Sequence, residues 1–378
     1  MRHVPKLPAA FLLGLLLVPG LAHAQMFVPD RETLVKARVL AASESVTEEL
    51  PGAGVTTTSQ LLTVTALGGE EEGKEVTFAN DFTQLATGDI FYLRHIVSAS
   101  EGTEFYSVAD PYRLDILLVL ALAFVGLILV FGGIQGVRGL LSLVGSLLLI
   151  FYLLLPGISS GFPPVAVAIG VASLIIIAGS YITHGINRTT SAAVLGMLIT
   201  VIITGLAAWW VVEAAQLSGY GSEDSTYLHF QSGGTIDLVG VLLGGILIGL
   251  LGVLYDIAIG QAIAVEELMR AGRHLSKRHV YLRALRIGRE HIGALVNTLA
   301  IAYVGASLPL FLLLEHASAP LDYIVNGEVF ATEIVRILIG SSGLVLAVPI
   351  TTFIAVSLLR VSAVRREEEA VRDTMHRH

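Results

Sequence analysis

The chain has 378 residues, of which 54% are hydrophobic and only 14% are charged. A soluble domain contains about 45–50% apolar and about 25% charged residues, so this chain has too few charges to cover a water-facing surface. From residue 114 to residue 359, apolar runs of about 17–25 residues follow one another, and each is long enough to cross a bilayer core of about 30 Å. The composition excludes an ordinary soluble protein and indicates a polytopic membrane protein.

The net charge of −8 is concentrated before these apolar runs. Residues 25–113 contain 14 Asp and Glu against 6 Lys and Arg, whereas residues 114–378 are nearly neutral. A nucleic-acid partner requires a basic patch, so we expect none. The chain has no cysteine, which excludes disulfides, thiolate metal sites and cysteine nucleophiles.

The N-terminus has the pattern of an export signal. Arg2 and Lys6 lie in a polar segment, residues 11–18 are apolar, and Ala-His-Ala at 22–24 fits a cleavage site. We predict that residues 1–24 are a signal peptide, with an uncleaved signal anchor as the alternative. In both cases the segment that follows leaves the cytoplasm.

Residues 25–110 are the only stretch that resembles a soluble domain. Its short segments rich in β-branched and aromatic residues alternate partially in polarity and end at turn residues, which is typical of strands. These segments are 36–45, 60–67, 74–80 and 89–98. We predict a small extracytoplasmic β domain of roughly five strands, with an OB-like barrel as the candidate fold.

Residues 111–360 are predicted to form an α-helical transmembrane domain. Seven spans are predicted, at 114–132, 139–156, 163–183, 191–212, 236–259, 292–314 and 334–359. The predicted inner segments hold 14 Lys and Arg, the predicted outer loops hold none, and only Arg336 breaks this bias. We therefore expect a multi-pass protein of the cytoplasmic membrane, with the lipid bilayer as its partner, its β domain outside and its charged tail, 361–378, in the cytoplasm.

The segment 262–290 is basic and amphipathic, and we predict that it lies on the inner leaflet near anionic headgroups. Its histidines, His274 and His279, are five residues apart, a poor spacing for two ligands on one helical face. Neither a metal site nor a cofactor is predicted from this pattern.

Asp256 is the leading candidate for a functional residue within the apolar runs. A charged side chain at the bilayer centre costs about 2.5–3.5 kcal/mol, so an intramembrane carboxylate needs a reason. Glu267 follows eleven residues later, about 20° away around a helix axis. The two carboxylates would share a stripe toward the cytoplasm that suits a proton or cation path. Alternatively, Asp256 pairs with a basic residue of 270–289.

Small and polar residues add three features to the same region. Glycines at two G-x-x-x-G spacings predict close helix packing, within the chain or with a second copy, or a sliding surface; they are Gly240, Gly244, Gly245, Gly249 and Gly252. Asn297 and Thr298 need polar partners, and Asp256 is a candidate. Pro309 and Pro349 are predicted to kink their helices, as in transporter binding sites.

The same residues resemble the YibE/F family of membrane proteins. GVLYDIAIGQAIAVEEL at 252–268 and RIGREHIGALVNTLAIAYVGASLPL at 286–310 resemble its signature, and the outer domain and last span also fit. The resemblance implies that Asp256, Asn297, Thr298, Tyr303 and Gly305 are the positions that matter. Tyr255 departs from the pattern, because many members have an acidic or small residue there. The resemblance implies no substrate or reaction.

Two classes of function remain open. The first is a secondary transporter or permease for an unknown small substrate, coupled to protons or cations through Asp256, with Asn297 and Thr298 as neutral partners. The second is a membrane scaffold or assembly factor whose outer domain binds a protein. We do not expect an enzyme, because the only formal nucleophile motif, G-x-S-x-G at 157–161, falls in a short loop between spans.

Overall fold

The structure is a computed structural model that describes residues 31–49, 56–99, 102–272, 274–316 and 318–359. The predicted signal peptide and the charged tail lie outside these residues. The chain divides into two compact units, residues 1–123 and 124–378. The first contains an antiparallel β domain and the second is helical, so the predicted order of a β domain followed by apolar helices is confirmed.

The β domain is one antiparallel sheet with six strands among the described residues. The strands are β1 (Arg31–Ala42), β2 (Val46–Glu49), β3 (Thr56–Ala66), β4 (Glu75–Asn80), β5 (Ile90–Val97) and β6 (Glu104–Pro111). Their order is β2-β3-β1-β5-β6, and β4 also pairs with β3. The four predicted segments correspond to β1, β3, β4 and β5 and omit two strands. These are the short β2 and β6, which directly precedes the first apolar run and lacks a clear alternation.

The core of the β domain follows from the two-residue period of its strands, because successive side chains point to opposite faces. The fully buried residues of the central strands recur at every second position, and they are Ala37, Val39, Leu62, Val64, Phe91 and Leu93. His95 continues the inward row of β5 and is only 7% exposed. The apolar core therefore ends in a polar side chain at this edge.

The second unit is helical, and its described helices differ greatly in length. They are α1 (Leu114–Leu149, which begins in the first unit), α2 (Leu155–Ser159), α3 (Pro164–His184), α4 (Arg188–Ala214), α5 (Glu223–Gln231), α6 (Leu238–Ala271), α7 (Lys277–Ala306), α8 (Leu308–His316), α9 (Leu321–Asn326) and α10 (Glu328–Leu358). Among the residues that the structure describes, five segments are long and apolar enough to cross a membrane: Leu114–Ser159, α3, α4, α6 and α10. The pair α7 and α8, bent by 67°, makes a sixth if it counts as one span.

The long first segment is broken inside α1. Gly133 has φ 52° and ψ −141°, a conformation that only glycine adopts readily. A Cβ placed on Gly136 would lie 2.6 Å from the carbonyl oxygen of Ile128. Residues eight apart in a straight helix are separated by about 12 Å along the axis, so the chain folds back sharply at Gly133.

The residues after this break run antiparallel to α3. The side-chain amide of Gln135 donates to the carbonyl oxygen of Thr183 at 3.0 Å, near the end of α3. At the other end, a Cβ on Gly157 would lie 2.8 Å from Val167, near the start of α3. The predicted span 139–156 is therefore a separate helical arm packed along α3.

The helices of the second unit pack around α10, which contacts α4, α6 and α7. In a bilayer, helix association relies on close packing, because lipid tails are as apolar as leucine. Gly196 of α4 faces Thr351 of α10. Gly343 of α10 faces Thr204 of α4, whose hydroxyl oxygen would lie 2.7 Å from a Cβ on that glycine. Small residues thus let α4 and α10 approach each other closely at both of these contacts.

The region predicted as one amphipathic segment, 262–290, is divided between two helices. Its first part completes α6, which has 34 residues and is longer than a bilayer core of about 30 Å requires. Its second part opens α7, where the side chain of Ser276 caps the helix by accepting from the amide of His279 at 3.4 Å. Both helices therefore extend beyond the predicted spans at this end.

Candidate functional site

The exposed residues of α6 lie on one face of the helix. They recur at intervals of three or four residues, which is the spacing of a single helical stripe: Gly245, Gly249, Gly252, Asp256, Gly260, Ile263, Glu267 and Ala271. The opposite face is buried by leucine, isoleucine and alanine. Asp256 and Glu267 thus lie on the same face, as helical pitch predicts.

Asp256 lies on this stripe, and its neighbours along the stripe are glycines, which have no side chain. Gly252 and Gly260 precede and follow it by four residues, and a Cβ on either would meet no atom within 4 Å. Within the described part of the chain, its carboxylate has no hydrogen bond or ion pair. A charged side chain inside a membrane span costs several kcal/mol unless something neutralises it. In that part of the chain, no ion pair or hydrogen bond offsets the charge of Asp256.

The basic residue nearest along α6 pairs with other carboxylates. Arg270 lies 2.6 Å from Glu266 and 3.6 Å from Glu267. Glu266 also accepts a hydrogen bond of 2.6 Å from the hydroxyl of Thr189 on α4. Glu266 was not predicted as a site residue, although its spacing of four residues from Arg270 is typical of a helical ion pair. Glu267 therefore belongs to a polar cluster at the end of α6.

Asn297 and Thr298 lie on an exposed part of α7. The hydroxyl of Thr298 donates to the carbonyl oxygen of Ala294 in its own helix at 2.9 Å. In the residues that the structure describes, neither side chain forms a hydrogen bond with Asp256. The predicted pairing with Asp256 is therefore not formed there, and the hydroxyl hydrogen of Thr298 is already donated within its own helix.

Tyr303 is one of the residues to which the family resemblance points, and it contacts α6 directly. Its hydroxyl lies against Gly249, at the position that a Cβ would occupy. A larger residue at 249 would displace Tyr303, so this glycine is explained by a helix contact. Gly305, by contrast, has no described atom within 4 Å of where a Cβ would stand.

The remaining glycines of the predicted face divide into two groups. A Cβ on Gly240 would lie 2.7 Å from Pro164, and one on Gly244 would lie 3.4 Å from Ala168, so both pack against α3. Gly245 and Gly252 meet no described atom within 4 Å. The five glycines therefore serve two different faces of α6.

The two predicted kink prolines differ in their effect on the chain. Pro309 is the second residue of α8, just after the 67° break that follows α7. Pro is well suited to the start of a helix because it has no amide hydrogen to donate. Pro349 lies inside α10, and the helix continues through it.

Gln261 links three helices close to Asp256 and was not predicted as a site residue. Its side-chain nitrogen donates to the carbonyl oxygen of Ala284 on α7 at 2.8 Å and to the hydroxyl of Thr352 on α10 at 2.7 Å. Gln261 is 4% exposed, so these bonds satisfy an otherwise costly buried amide. They fix α6, α7 and α10 together next to the stripe.

Glu333 of α10 forms an ion pair within its own helix. Its side chain is 16% exposed and lies 3.2 Å from Arg336. The two residues are one turn apart on α10, where opposite charges attract. The pair also explains why Arg336 departs from the inside bias of positive residues, since its charge is matched locally.

A second polar cluster lies in the β domain. The ammonium of Lys74 donates to the hydroxyl of Tyr106 at 2.7 Å, and this hydroxyl donates to Glu104 at 2.8 Å. The hydrogen bond from Tyr106 and the ammonium of Lys74 hold the pKa of Glu104 below its usual value. Hydrogen bonds to Tyr106 and Glu71 raise the pKa of Lys74. The cluster thus stabilises its charged groups in their ionised forms.

Comparison with known proteins identifies the helical unit. The sequence profile described as YibE/F-like protein matches residues 120–361, which is well over half of the chain. Comparisons with curated proteins and with solved structures found no match. The matched range includes Asp256 and the resemblance-derived residues of α7. The chain therefore belongs to the YibE/F-like family.

Proposed function

We propose that this protein is a secondary transporter or permease in which Asp256 couples transport to the binding of a proton or cation. The observation that supports this most directly is the unpaired carboxylate of Asp256 within a long apolar helix. Intramembrane ionisable residues are rare and mark ion or proton pathways in many membrane proteins. A bound proton or cation would neutralise the carboxylate.

The surroundings of Asp256 support a path along α6. The glycines at 252 and 260 leave space beside the carboxylate, and the stripe continues to Glu267. Asn297 and Thr298 on the neighbouring α7 would supply neutral oxygen ligands. The break between α7 and α8 resembles the discontinuous helices around which transporters place their sites.

The proposal includes seven spans, with the β domain outside and the tail in the cytoplasm. The fold-back at Gly133 would make two spans of Leu114–Ser159, and the bent pair α7 and α8 would add another. The distribution of Lys and Arg supports this orientation. Four further predictions belong to this proposal: export by residues 1–24, an OB-like barrel, an extracytoplasmic protein partner and a homo-oligomer.

Replacing Asp256 tests the proposal. We expect Asp256→Asn to insert and fold but to lose flux, because an amide of the same size cannot bind a proton or balance a cation. The measurement is ion flux into liposomes that hold a pH-sensitive dye, with imposed proton and sodium gradients. Asp237→Asn is the matched control, since Asp237 only caps α6 at Gly240 and asparagine caps equally well.

Equal flux in the Asp256→Asn variant and the wild type would contradict this role of Asp256. If the wild type carries no flux under any gradient, the scaffold function becomes the better explanation. In that case the full-length protein, cross-linked in intact cells, should yield a defined partner attached to the β domain.

A further inference from the structure

Three side chains that can bind a metal ion, Glu71, His95 and Glu104, meet at the polar end of the β-domain core. The Nδ1 atom of His95 lies 3.2 Å from Glu71, and its Nε2 atom lies 3.6 Å from Glu104. One donor atom from each residue lies within 4.8 Å of the other two. Two donors bound to one zinc ion in a tetrahedral site are about 3.4 Å apart, so small side-chain movements would complete the geometry.

The fold brings these residues together from three separate elements. His95 of β5 pairs with Tyr106 of β6, whose ring stacks on the imidazole at 4.5 Å. Glu104 is two residues before Tyr106, so it shares the same face and is a diagonal neighbour of His95. Glu71 ends a short 3-10 helix, Gly69–Glu71, that connects β3 to β4. The register between β5 and β6 therefore places Glu104 beside His95.

His95 is the observation that distinguishes this group from an ordinary surface cluster of acids. The residue is 7% exposed, and its Nε2 atom is buried without a hydrogen-bond partner. Leaving a buried polar atom unsatisfied costs about 1–3 kcal/mol. Nε2 points toward Glu104, where a bound cation would satisfy both the imidazole nitrogen and the carboxylate.

We propose that Glu71, His95 and Glu104 bind a divalent transition-metal ion of the zinc class. Imidazole nitrogen with carboxylate oxygen suits zinc, whereas calcium and magnesium prefer ligands that are all oxygen. Two carboxylates also balance the charge of a divalent ion. The site consists of β-domain residues alone and includes no residue of the stripe on α6, so it does not depend on the proposed transport function.

The position of Lys74 distinguishes a metal site from an ion-pair network. Its ammonium lies 3.1 Å from Glu71 and 3.3 Å from Glu104, so it occupies the space of a cation between the two carboxylates. A metal ion would have to displace this ammonium. Removing the lysine charge should therefore tighten metal binding, whereas it would only weaken a cluster that serves as an ion-pair network.

The experiment measures zinc binding to the purified full-length protein in detergent by competition with a chromophoric chelator. We expect Glu104→Gln and Glu71→Gln to lose one equivalent of bound zinc, with affinity reduced by more than about tenfold. Lys74→Gln should bind zinc more tightly than the wild type. Glu70→Gln is the matched control, because Glu70 is adjacent in sequence but pairs with Arg31 at 3.3 Å.

Two results would overturn the proposal. One is equal zinc stoichiometry in the wild type and Glu104→Gln, and the other is weaker binding in Lys74→Gln. Zinc bound by the terminal histidines, His376 and His378, would be the same in every variant, so the comparison removes it. Glu104 is half exposed, so its substitution preserves the fold even if a His95 variant does not.

Discussion

At the scale of single residues, two carboxylates of the helical unit have opposite surroundings. Glu333 has a guanidinium within 3.2 Å on the next turn of its own helix. Asp256 has glycines on the turns before and after it and no such partner in the described part of the chain. An ion pair explains why a charge is tolerated in an apolar helix, whereas an unpaired carboxylate there points to a functional role. This difference is why we propose the coupling role for Asp256.

Glu104 provides a pH-dependent prediction at the same scale. Tyr106 and Lys74 hold its pKa in the folded protein below the ordinary value of 4.5. Its contribution to stability is therefore present above the unfolded pKa and is lost as the pH falls through the folded pKa. We expect the thermal midpoint of the wild type, followed by circular dichroism, to fall more between about pH 6 and about pH 3 than that of Glu104→Gln. The same acid shift in both proteins would contradict this.

At the scale of elements, the sequence predicts the positions of strands better than it predicts the contacts between side chains of different strands. The segments predicted at 60–67, 74–80 and 89–98 correspond to β3, β4 and β5, because alternation reports directly which side chains face the core. The cluster of Glu71, His95 and Glu104 depends on register between strands, which a single sequence does not encode locally. The presence of the apolar helices was predictable in the same way, but the full lengths of α6 and α7 and the contacts of Gln261 were not.

The contact between α4 and α10 gives a prediction for one element. A Cβ on Gly343 would lie 2.7 Å from Thr204 and 2.9 Å from Leu250, both in neighbouring helices. We expect Gly343→Ala to lower the free energy of unfolding by about 1–3 kcal/mol through overpacking. Gly170→Ala, on α3, is the matched control because nothing lies within 4 Å of its Cβ position. The midpoint of thermal unfolding in detergent is measured for both variants. Equal midpoints would contradict the prediction, because they would show that α4 and α10 move apart at little cost.

At the scale of the whole molecule, the number of spans depends on how the segment Leu114–Ser159 is read. Its 46 residues would extend about 69 Å as one straight helix, more than twice the bilayer core. The fold-back at Gly133 and the contact between Gln135 and Thr183 favour two shorter arms instead. Whether this segment crosses the membrane once or twice determines the side on which every later loop emerges.

The absence of cysteine makes this topology directly testable, because any introduced cysteine is the only thiol. Ser160 lies between α2 and α3, and Ile186 lies between α3 and α4 and is 87% exposed. With two arms before α3, Ser160→Cys should react with a membrane-impermeant maleimide from the same side as Thr103→Cys in the β domain. Ile186→Cys should react only from the opposite side. If Leu114–Ser159 crosses once, the two loop positions exchange sides, and labelling of intact and permeabilised cells separates the two arrangements.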